Sequence, residues 1–176
     1  MGTLAARVES ASASNDGDLR RMVRAAGLVP YWSFKAVKDF SYPEVNTTQS
    51  VSIREFTGKV VAVNLWATWC PPCVEEMPSR QTLHEQFHAR GVTVVGINIS
   101  DRTDLAGIRN WLLKRNLSFL NLKGDNDGPP LVSNHFIPQT FIIDRRGRLI
   151  ANKTGSHEWT DAGMEQLVRY MLTAAD

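Results

Sequence analysis

The chain has 176 residues, a formal charge of +2 and 43% apolar residues. That size suits one domain with an extension, and it can bury a core without disulfide staples. No apolar run reaches membrane-spanning length. The charge is too small to expect a nucleic-acid partner, and no basic block is interleaved with aromatics. Met1 to Asp18 has no apolar h-region, so no signal segment is expected in this chain, although a start at Met1-Gly2 on a mature fragment would hide one already removed.

Residues 1–36 are read as a flexible N-terminal segment with a short helix, and residues 37–176 as the main domain. Leu19, Met22, Val23 and Ala26 make an apolar stripe at helical spacing that ends near Gly27 and Pro30. Tyr31, Trp32 and Phe34 follow, and helix and aromatics are expected to dock on the domain. Residues 39–53 read as a hairpin turning at Asn46 to Gln49. Val60–Trp66 is a continuous apolar run of the kind a central strand shows.

Immediately after that strand stands Trp69-Cys70-Pro71-Pro72-Cys73, which holds the only two cysteines. Residues 71–90 read as a helix interrupted by Pro78. Two thiols at this spacing can close a small disulfide ring and reopen it. The positive end of a helix lowers the pKa of a thiol placed there, and thiolate is the species that attacks disulfides. Three other readings exist. A bridge closing so short a loop constrains the unfolded chain little and makes a poor staple. Cys-x2-Cys-x10-His-x3-His, with His84 and His88, approaches a zinc spacing, but one continuous helix would hold the histidines far from the sulfurs. Two buried inert cysteines fit badly with the intervening prolines and the preceding Trp.

Val92–Ile99 reads as a second apolar strand. Leu105, Ile108, Trp111 and Leu112 stripe a helix, and Leu117–Leu122 suggests a short strand. Asp125 and Asp127 fall in the loop Gly124–Pro130, read as a solvated turn because the other ligands of a calcium loop are missing. Thr140–Asp144 and Arg148–Ala151 flank the hairpin turn Arg145-Arg146-Gly147. Met164, Leu167, Val168 and Met171 stripe the last helix. Alternation of this kind implies an α/β fold: a mixed sheet, parallel then antiparallel, with helices on both faces. Sites in such sheets lie at the C-terminal ends of parallel strands, where Cys70 falls.

The order, with Cys-x-x-Cys opening the first central helix, resembles the thioredoxin fold. More closely, Gly58 to Cys73, Glu76-Met77-Pro78 and Ile137-Pro138-Gln139-Thr140-Phe141-Ile142-Ile143-Asp144 resemble the TlpA/ResA-like thiol-disulfide oxidoreductases, over residues 37–174. The resemblance implies an enzyme that exchanges disulfides with protein substrates, more as reductant than oxidant, outside the cytoplasm, in cytochrome c maturation, and recharged by an upstream redox partner. It implies no cofactor and no metal. It makes Pro138 a cis-proline beside the cysteines, with Ile137 presenting its backbone to substrate. Asn64 stands where thioredoxin carries a buried Asp, and Gln139 where Thr is frequent. Cys70, at the exposed helix start, is expected to attack and Cys73 to resolve. Glu76, on the same helix face as Cys73, is expected to exchange its proton. Trp69, Pro71 and Pro72 complete the expected docking surface. A metallochaperone using the cysteine pair is the alternative from another class. A thiol peroxidase is a lesser one, because Ala67 replaces the Thr such enzymes carry three residues before the cysteine.

Overall fold

The computed structural model describes residues 16–99, 102–131 and 136–173. The expected flexibility of the first residues concerns positions 1–15, which lie outside the described residues. From residue 16 the N-terminal segment is structured. Helix α1 covers residues 16–25 and buries Leu19, Val23 and Ala26. It ends where Gly27 takes a φ of +70°, with Leu28 N donating to Val23 O and Gly27 N to Arg24 O. Glycine alone adopts that left-handed geometry without steric cost, so it closes the helix.

Strand β1 (Val29–Ala36) follows and pairs antiparallel with β8 (Arg148–Thr154), interrupted by a bulge between Pro30 and Lys35. The expected domain boundary at residue 37 thus falls just after a strand that belongs to the central sheet. Val29–Ala36 gave no strand signal because five of its eight residues stay exposed, and Trp32 is 93% exposed. Arg20 on α1 donates to Trp32 O at 2.8 Å, which joins helix to strand.

β2 (Ser41–Pro43) and β3 (Ser50–Ser52) form the expected hairpin as a separate two-stranded sheet. Its turn is held by Glu44, whose carboxylate accepts from Asn46 N and Thr47 N. A 3₁₀ turn, Ile53–Phe56, leads into the centre.

The main sheet has six strands in the order β1-β8-β7-β4-β5-β6. β4 (Val60–Trp66) and β5 (Val92–Asn98) are buried along their whole length and run parallel. β6 (Leu120–Lys123) is parallel to β5, so the suspected short strand is real. β7 (Gln139–Ile143) runs antiparallel to β4, and β8 antiparallel to β7.

α2 spans Pro71–Phe87, α3 Leu105–Leu113 and α4 Ala162–Thr173. All four helices among the described residues contribute to one core, packed on the sheet face of Val60, Ala62, Trp66 and Val94. The opposite face, with Val61, Val63, Leu65, Val95 and Ile97, is covered by the hairpin, the 3₁₀ turn and loops. The helices are therefore less evenly shared between the faces than the expected arrangement. Right-handed crossovers explain it: β4-α2-β5 and β5-α3-β6 step in the same direction, so both helices land on the same side. Gly163 lets α4 approach α1 closely, since a Cβ there would lie 2.6 Å from Ala25 O.

Candidate active site

β4 ends at Trp66, and a four-residue turn carries the chain to Cys70, the N-cap of α2. Cys70 and Cys73 are joined by a disulfide, with Cα atoms 5.3 Å apart. Cys70 Sγ also accepts a hydrogen bond from Cys73 N at 3.3 Å. Pro71 and Pro72 occupy the first two helical positions, where their fixed φ suits the helix and their missing N–H is least missed. Pro78 sits inside α2, yet the helix runs through it on the exposed side.

The expectation of an exposed Cys70 needs correction. In the disulfide form Cys70 is only 2% exposed and Cys73 is fully buried. The sulfur bridge turns the Cys70 side chain inward, onto the core that also takes Ala67, Trp66 and Met77. The exposed member of the motif is Trp69, at 59%. Pro71 is exposed and Pro72 half-buried.

The Ile137–Pro138 bond is cis, as expected from the resemblance. Leu65 pairs with Gln139, so residue 138 lies at the end of the sheet where β4 delivers the cysteines. Pro138 O accepts from Gly155 N, while the Ile137 N–H and C=O have no hydrogen-bond partner among the described residues. The Ile137 side chain packs against the core cluster that contains both cysteines.

Glu76 is not a surface group. α2 turns the stripe Cys73, Glu76, Met77, Arg80, Leu83 and Phe87 inward, so two charged residues face the sheet. Glu76 Oε1 accepts from Asn64 Nδ2 at 3.2 Å and from Arg80 Nε and Nη2 at 3.1 and 2.8 Å. Glu76 Oε2 accepts from Trp159 Nε1 at 3.0 Å and His157 N at 3.2 Å. Arg80 reaches Thr140 Oγ1 and lies 4.1 Å above the Trp159 ring. Burial pulls its pKa down to about 10, against the opposing pull of Glu76. The guanidinium is therefore charged at neutral pH. Beside this network a 280 Å³ cleft lined by Glu75, Glu76, Ser79, Ser156, His157 and Glu158 opens to solvent.

Sequence reasoning missed Arg80, Trp159 and His157 as partners of Glu76, and Thr140 as a partner of Arg80. One signal was available for Arg80: it shares the helix face of Met77, Leu83 and Phe87, where a charge demands a buried partner. None pointed to Trp159, which lies 83 residues from Glu76. Histidines 84 and 88 do not join the cysteines. His84 stands eleven positions after Cys73 on the same helix, about 16 Å further along at 1.5 Å per residue. Among the described residues no group of three His, Cys, Asp or Glu side chains is placed to hold a metal.

A mixed sheet that delivers a Cys-x-x-Cys disulfide to a helix N-terminus, next to a cis-proline, defines a thioredoxin-fold dithiol protein. Known proteins agree. The redoxin family profile matches residues 34–168. The thiol-disulfide oxidoreductase ResA of Bacillus thuringiensis subsp. konkukian is 30% identical over 125 residues, covering 70% of this chain and 68% of its own. ResA of Oceanobacillus iheyensis is 34% identical over 148 residues, covering 83% and 73%. Among solved structures, a thioredoxin-family thiol:disulfide interchange protein from Chlorobium tepidum TLS has a TM-score of 0.66 at 24% identity, over 81% of this chain and 99% of its own. A secreted thiol-disulfide isomerase from Corynebacterium glutamicum has 0.69 at 21%, over 82% and 89%. These two structures speak for the fold. The chain belongs to the redoxin family, as a TlpA/ResA-like thiol-disulfide oxidoreductase.

Proposed function

We propose that this oxidoreductase works as a reductant of protein disulfides outside the cytoplasm, with apocytochrome c as the substrate class its family membership supports. One observation carries the direction. Cys73 N is the one hydrogen-bond donor to Cys70 Sγ among the described residues. Pro71 and Pro72 offer no N–H where other residues would. A Cys70 thiolate would thus be held by the helix dipole and a single donor. Strong oxidants of this fold are strong because their reduced form is stabilised, and here that stabilisation is meagre. The buried Glu76 carboxylate, one turn from Cys73, disfavours a second anion nearby and acts in the same direction.

The reaction proceeds in two exchanges. Cys70 thiolate attacks a substrate sulfur, a mixed disulfide forms and one substrate thiolate leaves. Cys73 then gives its proton to Glu76, which must first release one of its five donors, and attacks Cys70 Sγ. The second substrate thiolate leaves, and the enzyme keeps the Cys70–Cys73 disulfide. Two electrons have passed to the substrate. An upstream dithiol partner returns them, and the burial of Cys70 in the disulfide form means that this return requires the sulfur to move towards solvent. The cleft beside Glu76 gives its proton a way out.

Substrate docking falls to Trp69, Pro71 and Pro72 at the helix start and to Ile137 and Pro138 opposite. The Ile137 N–H and C=O, unpaired among the described residues, can bond an extended substrate segment as a short added strand. No described helix is long and apolar enough to cross a membrane. The extracytoplasmic location rests on the family resemblance.

Equilibration against a glutathione or dithiothreitol series tests the direction. A reduction potential near about −270 mV or below is expected, and one near about −120 mV would reverse it.

A further inference from the structure

The last turn of α2 reads His84-Glu85-Gln86-Phe87-His88. Its two imidazoles lie one helical turn apart, with ring centroids 4.6 Å from each other and planes tilted by 44°. Leu83 and Phe87 fill the buried face beside them, so His84 is half-buried and His88 exposed. We propose that His84 and His88 form a bidentate site for a divalent transition-metal cation, Cu²⁺ held most tightly and Ni²⁺ and Zn²⁺ after it.

The spacing is the first argument. Imidazoles at i and i+4 share one helix face, and rotation of either ring can aim both nitrogens at one ion. Metal–nitrogen bonds are about 2.0–2.1 Å, so two donors on one ion lie within about 4 Å of each other, a separation within reach of rings whose centroids are 4.6 Å apart. The position is the second. His88 is the C-cap of a 17-residue helix, and the negative end of the helix dipole there favours positive charge. Imidazole donors rank these cations in the order given.

The surroundings limit what the site can do. His84 Nδ1 is enclosed without a hydrogen-bond partner, so no second contact orients the ring as in a high-affinity site. Glu85 accepts from Gln81 on another face. Arg90 and Arg169 stack on Phe87, at 4.9 and 5.7 Å, and Arg169 is paired with Glu165. The ion therefore keeps open positions for water or for a ligand from a second molecule. The His-Glu-x-x-His order is shared with zinc proteases, but no third ligand gathers here among the described residues. The site is also separate from the dithiol, at the far end of α2, and does not depend on the direction of electron flow proposed above.

The test uses the full chain in its disulfide form, so that no thiol competes. Cu²⁺ alone, then Zn²⁺ alone, is titrated calorimetrically, and the copper protein is examined by electron paramagnetic resonance. One Cu²⁺ bound through two nitrogens is expected, with Zn²⁺ weaker. His84→Gln and His88→Gln should each weaken binding and reduce the coordinating nitrogens from two to one. A zinc-induced rise in Tm should vanish in the double variant, whose circular dichroism reports that the fold persists. Absence of binding, or copper binding unchanged in the double variant, overturns the proposal. The latter result would assign the metal to another group, such as the α-amino group.

Discussion

Glu76 and Arg80 form an ion pair from which solvent is excluded: Oε1 lies 2.8 Å from Nη2, with side-chain exposures of 1% and 0%. The pair occupies two core-facing positions of the helix that carries the cysteines. Such a pair adds little over an apolar core of the same shape, yet losing one partner is costly because the other charge stays buried.

Arg80→Met should therefore destabilise the protein by about 3–5 kcal/mol. The double variant Glu76→Gln/Arg80→Met, which removes both charges, should recover part of that loss. Urea unfolding of the four proteins of the cycle measures it. Additive losses would mean that the two side chains are not energetically coupled.

Glu76→Gln tests the role of the carboxylate in the chemistry. Removing a negative charge near the dithiol while Arg80 stays cationic should lower the apparent thiol pKa values and make the pair more oxidising. Slower turnover is expected as the proton acceptor is lost. The pH profile of iodoacetamide labelling reads the first effect, and an unchanged profile would leave Glu76 with a purely structural role.

In the reduced enzyme the two thiols should differ. Cys70, as N-cap, faces the positive end of α2, whereas Cys73 is inside the first turn and fully buried. Brief alkylation at neutral pH should modify Cys70 much faster, and Cys73→Ser should accumulate mixed disulfides with substrate. Equal labelling of both contradicts this assignment.

Trp69 separates docking from chemistry. At 59% exposure it contributes little to the core, so Trp69→Ala should change stability by no more than about 0.5 kcal/mol. Exchange with a protein disulfide should slow, while exchange with a small disulfide such as oxidised glutathione should not. A parallel loss with both substrates would show that Trp69 shapes the dithiol itself.

His157 gives a pH dependence of stability. Burial holds its pKa below the ordinary value, with Lys153 and Arg80 adding to the fall and Asp161 and Glu76 opposing it. Its Nε2 is enclosed without a hydrogen-bond partner, and the nearest carboxylate oxygen, of Asp161, is 4.0 Å away. The folded state thus favours the neutral ring, and the unfolded chain takes up the proton first as pH falls. The stability contributed is present above about pH 6.5 and is lost on acidification below it. Urea midpoints at pH 7.5 and 5.5 should fall less in His157→Gln than in the parent, and equal falls would place the sensitivity elsewhere.

Much of this was legible in the chain. The two buried parallel strands, the cysteine turn, the α2 to α4 stripes and the C-terminal hairpin are signals that span a few residues each, because periodicity and turn chemistry are local. The edge strand β1 escaped because an exposed, bulged strand has no alternation to read. The burial of Cys70 escaped because exposure depends on what packs over a turn.

By itself, then, the sequence determined the chemistry on offer: two thiols at ring-closing spacing on a helix start, with two prolines that withhold N–H donors, in the register of a known family. Only the tertiary structure decided the surroundings of that chemistry. The partners of Glu76 come from β4, from Arg80 one turn on and from the segment before α4, between 4 and 83 residues away. No local pattern encodes such a meeting. It follows from the crossover that lays α2 on one face of the sheet, where an inward carboxylate must find its donors among whatever the rest of the chain brings there.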